Sequence, residues 1–227
     1  MNNHTAVLVL VFSFILTTMA FGQTDAQPSI EAPWRLVFFP VGDESGTESI
    51  HNLDVEGYVP VGIEYTLGES LAVLLVNDES VALGRWAITR YTDWNQLEDD
   101  ITATIRDGFV PMDISRYGDA LAVLWLETDL PLEGWRISAS ENSQTERSRT
   151  LRSFETSGFT LHGVSVNQDL VWYLFLRLGE TARATQLLTY PMESAAIQNG
   201  LITAADQGWR PTGIATTDSL LYVSYVK

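Results

Sequence analysis

No cysteine occurs anywhere in the 227 residues, which excludes disulfides, thiolate nucleophiles and zinc–thiolate centres. Lysine is almost as scarce: Lys227 stands alone beside twelve arginines. Basic charge as a whole is short, with 13 Lys and Arg against 29 Asp and Glu and a net charge of −16. A chain without a basic stripe is a poor ligand for phosphate backbones, and anionic membrane surfaces disfavour it for the same reason. Acidic excess with little lysine suits a salty habitat, where screening weakens self-repulsion, and suits an acidic exported protein equally well. Long hydrophobic runs are missing after residue 16, so no later segment is long and apolar enough to cross a bilayer as a helix. What the chain has in quantity is apolar and aromatic residues, 45% and 11%. It can therefore bury a sizeable core, and without disulfides that core must carry the stability.

The N-terminus reads as an export signal over residues 1–22. Val7 to Leu16 is a short apolar run followed by small residues, and Ala20-Phe21-Gly22 fits a small-x-small cleavage site that leaves Gln23 as the new terminus. Thr18-Met19-Ala20 is the fallback. Met1-Asn2-Asn3-His4 lacks Lys and Arg, so an uncleaved anchor is the alternative. Residues 23–33 form a short mature segment. The expected location is secreted or periplasmic/cell envelope, with no membrane insertion once the signal is removed.

The body of the chain is repetitive. Gly57-Tyr58-Val59-Pro60-Val61-Gly62-Ile63 returns as Gly108-Phe109-Val110-Pro111-Met112-Asp113-Ile114, as Gly158-Phe159-Thr160-Leu161-His162-Gly163-Val164 and as Gly208-Trp209-Arg210-Pro211-Thr212-Gly213-Ile214. The leading glycines lie 51, 50 and 50 residues apart. Seven residues before each stands Ile50, Ile101, Leu151 or Leu201, and an apolar run follows each (Leu71 to Val76, Leu121 to Leu126, Val171 to Leu176, Leu221 to Val226). About 22 residues before each glycine comes Trp34, Trp86, Trp135 or, in the fourth copy, Thr185. Four features in register define one domain, 34–227, of four repeats at about 34–84, 85–134, 135–182 and 183–227.

Each repeat reads as strand, helix, strand, strand. In Asp93 to Asp107, residues Trp94, Leu97, Ile101 and Ile105 share one helical stripe, with Asp93 placed to cap it. Ser143 and Glu146 make a capping-box pair in the third copy. The motif glycine falls where the helix stops, a place that often needs a left-handed backbone. Short polar turns then suggest that each Gly-led strand, the apolar strand and the next Trp strand form an antiparallel meander. On this reading the N-terminal strand completes the last meander and closes a four-bladed, propeller-like α+β ring, which removes exposed sheet edges. An open two-layer array of the same units is the alternative.

The Gly-aromatic-x-Pro-x-x-Ile strand, the apolar strand, the Trp strand and the helix resemble the bacterial tandem-repeat family, whose roughly fifty-residue modules carry a GYRPV-like segment. The resemblance covers residues 30 to 227. The third copy departs from it with Leu161 in the proline place, and the fourth with Thr185 in the Trp place. It implies an exported repeat array, of a kind sometimes found beside hydrolase domains. It carries over no catalytic residue.

Signals of chemistry are sparse. His51 and His162 are the histidines left after the signal, 111 residues apart, without metal-ligand spacing. His51 sits one residue after a core-facing position in the first helix. His162 stands where the other copies have Val61, Met112 and Thr212, and Asp113 stands where they have glycine. Residues unique to one copy are where a task could be hidden, so His162 and Asp113 are candidate binding residues. Neither histidine is accompanied by a nucleophile-elbow sequence. Glu98-Asp99-Asp100 reads as the solvated face of a helix. Gly42-Asp43-Glu44-Ser45-Gly46 and Asn77-Asp78-Glu79 are loose calcium-loop candidates without the full pattern. No phosphate loop is present, and neither a metal nor a cofactor is expected. Tyr58, Phe109, Phe159 and Trp209 recur at one position and read as core, as do the recurrent Trp residues. Trp94, Trp125 and Trp172 recur less regularly and could form a recognition surface. These readings favour a non-catalytic module that binds a protein, peptide or glycan. Two alternatives stand beside it: a carboxylate-based hydrolase or lyase using His162, and a purely structural envelope protein.

Overall fold

The computed structural model describes residues 34–40, 58–66, 70–77, 84–167, 169–179 and 183–227. The first unit contributes β1 (Trp34–Pro40), β2 (Tyr58–Thr66) and β3 (Ser70–Asn77). The second runs β4 (Trp86–Tyr91), α1 (Trp94–Arg106), β5 (Phe109–Tyr117) and β6 (Ala120–Glu127). The third runs β7 (Leu132–Glu141), α2 (Gln144–Thr156), β8 (Thr160–Asn167) and β9 (Leu170–Leu178). The fourth runs β10 (Thr185–Pro191), α3 (Ser194–Asp206), β11 (Arg210–Thr216) and β12 (Leu220–Val226). Four three-stranded antiparallel sheets result, mostly β overall, with a helix in each of units two to four. The expected first helix, with Ile50, His51 and Gly57, lies outside the described residues, as do the signal segment and both calcium-loop candidates apart from Asn77.

The strand order corrects the expected meander. Each sheet is ordered first, third, second strand of one unit: β1-β3-β2, β4-β6-β5, β7-β9-β8 and β10-β12-β11. The Trp strand therefore pairs with the apolar strand of its own unit, as Trp34 does opposite Val76 and Trp86 opposite Leu126. The N-terminal strand pairs with β3 and does not complete the last sheet. Antiparallel pairing satisfies the same backbone groups in either arrangement, and the apolar third strand ends up central in both, so local sequence does not choose between them.

Local chemistry explains the elements. Leu97 and Ile101 are buried beneath α1 while Glu98 and Asp99 face water, and Leu97 N–H donates to the Asp93 carbonyl at 3.0 Å, closing the first turn. Ser143 Oγ caps α2 by accepting from Glu146 N–H at 3.2 Å. Gly108, Gly158 and Gly208 end their helices at φ of 89°, 82° and 79°, the left-handed region the motif glycine serves.

The central strands are almost continuously buried, as β6 shows from Ala120 to Leu126, because a sheet partner flanks each side and neighbouring units cover the faces. One cluster joins Val37, Ile63 and Val73 of unit one to Ile114 and Val123 of unit two. A second joins Trp34 and Leu74 of unit one to Leu201, Ile214 and Tyr225 of unit four. A third holds Leu161, Val164 and Phe175 against Ala215 and Tyr222. Each fully buried aliphatic side chain adds about 1.5–3 kcal/mol by the area it removes from water.

The scarce cations have a recurrent place. Arg35 lies 4.2 Å over the ring of Tyr58, Arg85 lies 5.3 Å over Phe109, Arg177 lies 4.4 Å over Phe159, and Lys227 lies 5.6 Å over Trp209. The recurrent aromatic of the motif is thus capped by a cation in every unit. Among the described residues no helix is long and apolar enough to cross a membrane.

Candidate functional site: the junction around Asp113

The second strands of the four units carry the odd residues, and each has the same irregularity. Register shifts fall between Pro60 and Gly62, Pro111 and Asp113, Leu161 and Gly163, and Pro211 and Gly213. The residue set aside by each bulge is Val61, Met112, His162 or Thr212. A bulge re-aims the residues that follow it. These strands lie beside one another in sequence, β2 by β5, β5 by β8 and β8 by β11, and β11 also lies by β2.

Asp113 sits where the four meet, fully buried. Its Oδ2 accepts the backbone N–H of Ile63 at 2.9 Å and of Ile214 at 3.2 Å. Its Oδ1 accepts from Ile114 at 2.8 Å and from Val164 at 2.9 Å. The four donors are the same repeat position in the four units. The glycines at the position of Asp113 leave room for this carboxyl: a Cβ on Gly163 would lie 2.5 Å from Oδ1, one on Gly213 2.8 Å from Oδ1, and one on Gly62 3.2 Å from Oδ2. Space, not backbone conformation, demands glycine there. Burial raises the Asp113 carboxyl well above its usual range, while the four N–H bonds act to lower it.

Two residues further along each strand lies a second level: Glu64, Ser115, Ser165 and Ala215. Here side chains of one unit receive the N–H of the preceding one. Tyr65 N–H donates to Ser115 Oγ at 2.9 Å, Arg116 N–H to Ser165 Oγ at 2.7 Å, and Thr216 N–H to Glu64 Oε1 at 2.9 Å. Ser115 Oγ donates in turn to Glu64 Oε2 at 2.8 Å. Burial raises the Glu64 carboxyl to about 8, against the lowering effect of Thr216 and Ser115.

His162 is buried at its bulge, and its Nδ1 has no hydrogen-bond partner among the described residues. Burial lowers it to about 4, with Arg183 adding to the effect, so the imidazole is neutral at physiological pH. Its backbone carbonyl accepts from Ser224 Oγ at 2.9 Å, and Ser224 also meets Thr212 Oγ1 at 3.1 Å. Ser224 takes the central-strand place that Leu74, Leu124 and Leu174 hold opposite the other junction residues.

The structure therefore brings Asp113 and the backbone of His162 to one junction, with a Gly213 Cβ falling 2.8 Å from both Asp113 Oδ1 and the His162 carbonyl. Yet the four recorded partners of Asp113 are all backbone N–H groups, and the His162 ring is not among them. They are not arranged as acid and base. The aromatic candidates do not gather there. Trp125 is fully buried in β6 and cannot meet a ligand while the sheet is intact. Trp172 is half-buried, with the Arg116 guanidinium 4.9 Å over its ring. Trp94 opens α1, and its side chain lies outside the described residues. Among the described residues no cluster of His, Asp and Glu could hold a metal ion. Glu64 and Ser224 were not singled out by sequence reading, although both are odd ones out at their repeat positions. No protein-family model matches the chain, and no curated protein matches it.

Proposed function

We propose that the chain is an exported, non-catalytic repeat module whose four units close into a propeller-like ring and which acts by binding or scaffolding a protein, peptide or glycan. What supports the non-catalytic reading is the employment of the buried polar side chains. Asp113 is spent on four backbone donors and Glu64 on joining units four, one and two. A catalytic carboxylate must keep a lone pair for substrate. Closure is supported by the contacts of unit four with unit one, through Thr216 on Glu64 and the shared core around Trp34 and Tyr225. Export is supported by the signal-like pattern of residues 1–22. The resemblance to bacterial tandem-repeat proteins points the same way. A closed ring of units presents loop-lined faces to ligands.

The test is a binding and turnover screen of the folded protein against its heat-unfolded form. Glycan and peptide arrays should show saturable binding by the folded form only. A panel of ester, peptide and glycoside substrates should show no turnover. Arrays silent above the unfolded control would remove the binding reading, and turnover abolished by His162→Ala would put the hydrolase in its place. N-terminal sequencing of the protein from a bacterial envelope fraction should begin at Gln23.

A further inference from the structure

The geometry points to a backbone anion-binding site at the junction of the four second strands, made by the N–H groups of Ile63, Ile114, Val164 and Ile214 and filled by the protein's own Asp113 carboxylate. This inference goes beyond the binding-module reading and does not depend on it.

Its basis is the composition of the cradle. Four N–H groups from four units converge within 2.8–3.2 Å of the two carboxyl oxygens, two on each. All the recorded partners are donors. A proton on either oxygen would face N–H groups, with no acceptor among those partners, so the four donors favour the anion and work against the burial that disfavours it. Convergent backbone N–H groups form anion-binding concavities elsewhere in proteins for the same reason. The four donors come from equivalent positions, so nothing in the cradle requires the carboxylate to be delivered from unit two. The three glycines show that one carboxylate fills the space: a Cβ added at Gly163 or Gly213 would run into Oδ1 at 2.5 and 2.8 Å. The site thus takes one small planar monoanion of carboxylate size, and the chain supplies it by placing aspartate at one of four repeat positions.

Removing the tether should turn the filled site into an open one. Asp113→Gly puts glycine at all four positions and should unfold at lower temperature than wild type. Sodium formate should raise its midpoint in a saturable manner, with ionic strength held constant by sodium chloride, while formamide should not. Wild type should be unmoved by formate over the same range. Asp113→Asn, which keeps the shape but turns an amide N–H2 toward backbone donors, should remain below wild type. Equal responses to formate in variant and wild type, or an Asp113→Asn protein as stable as wild type, would overturn the proposal. If Asp113→Gly does not fold even in formate, the double variant Asp113→Gly/Gly62→Asp decides. The tightest contacts of a Cβ at Gly62 are Asp113 Oδ2 itself and two unit-four atoms at 3.2 Å, one of them the Ile214 nitrogen that already donates here. Folding of that relocated carboxylate, with no further gain from formate, supports the site. Failure of the double variant to fold overturns it.

Discussion

The backbone N–H of Thr216 donates to Oε1 of Glu64 at 2.9 Å, joining residues 152 apart and tying the fourth unit to the first. The same carboxyl accepts from Ser115 Oγ of the second unit. Burial holds its pKa near 8, raised from 4.5, so the folded protein keeps a proton that the unfolded chain releases. Stability from this group is fully present below about pH 4.5 and is lost as pH rises through about 8. Glu64→Gln keeps an acceptor for Thr216 and removes the titration. The stability of wild type minus that of the Gln variant should fall by a few kcal/mol between those limits, measured by urea unfolding at half-unit pH steps. A difference flat with pH would show that Glu64 is ionised in the folded protein.

His162 titrates in the opposite sense. Its pKa is lowered from 6.5 to about 4, mainly by burial, so the unfolded chain takes up a proton that the folded protein refuses. Stability from this group is fully present above about pH 6.5 and is lost as pH falls through about 4. His162→Val, the residue of the first unit, should flatten the acid limb of the stability profile. It should leave stability above pH 7 unchanged or higher, because Nδ1 has no partner to lose. A steeper acid limb in the variant would show that the imidazole is protonated when folded.

Ile101 and Glu98 lie one turn apart on α1 but on the two sides of its boundary with solvent, Ile101 fully buried and Glu98 exposed. Ile101→Asp places an unpaired carboxylate under the helix and should destabilise by several kcal/mol, whereas Glu98→Ala should change stability by ~0.5 kcal/mol or less. Thermal unfolding of the two variants separates the cases. Equal losses would mean that the helix packs on another face.

Much of this was legible in the sequence where one unit suffices to decide. Leu97 and Ile101 of the α1 stripe, the Ser143 cap, the glycine stops at Gly108, Gly158 and Gly208 and the buried apolar strands all depend on neighbours within about a dozen residues, and the structure has them. Pairing was not legible in the same way. The short stretch between β3 and β4 suggests a hairpin, but β4 crosses α1 to pair with β6, and both choices satisfy the same hydrogen bonds. Asp113 and His162 stood out as breaks in the repeat, yet three of the four donors to Asp113 and the Ser224 that meets the His162 carbonyl lie in other units, brought in at bulges that no local pattern announces. Glu64 shows that the rule of the odd residue was applied too narrowly. It is the one acid at a repeat position that the other units fill with Ser115, Ser165 and Ala215.

Ala215 is the other break in that series. Unit one donates Tyr65 N–H to Ser115, unit two donates Arg116 N–H to Ser165, and unit four donates Thr216 N–H to Glu64. The equivalent donor of unit three is Val166 N–H, and the side chain facing it in this order is Ala215, which has no acceptor. Ala215→Ser adds a hydroxyl at a buried place where Ser115 and Ser165 already fit. The new bond should stabilise the protein by about 1 kcal/mol and slow hydrogen exchange at the Val166 amide relative to wild type. A Ser variant less stable than wild type, with Val166 exchange unchanged, would show that the side-chain-to-backbone order stops at unit three and that this seam is held by the apolar contacts of Val166, Ala215 and Tyr222 alone.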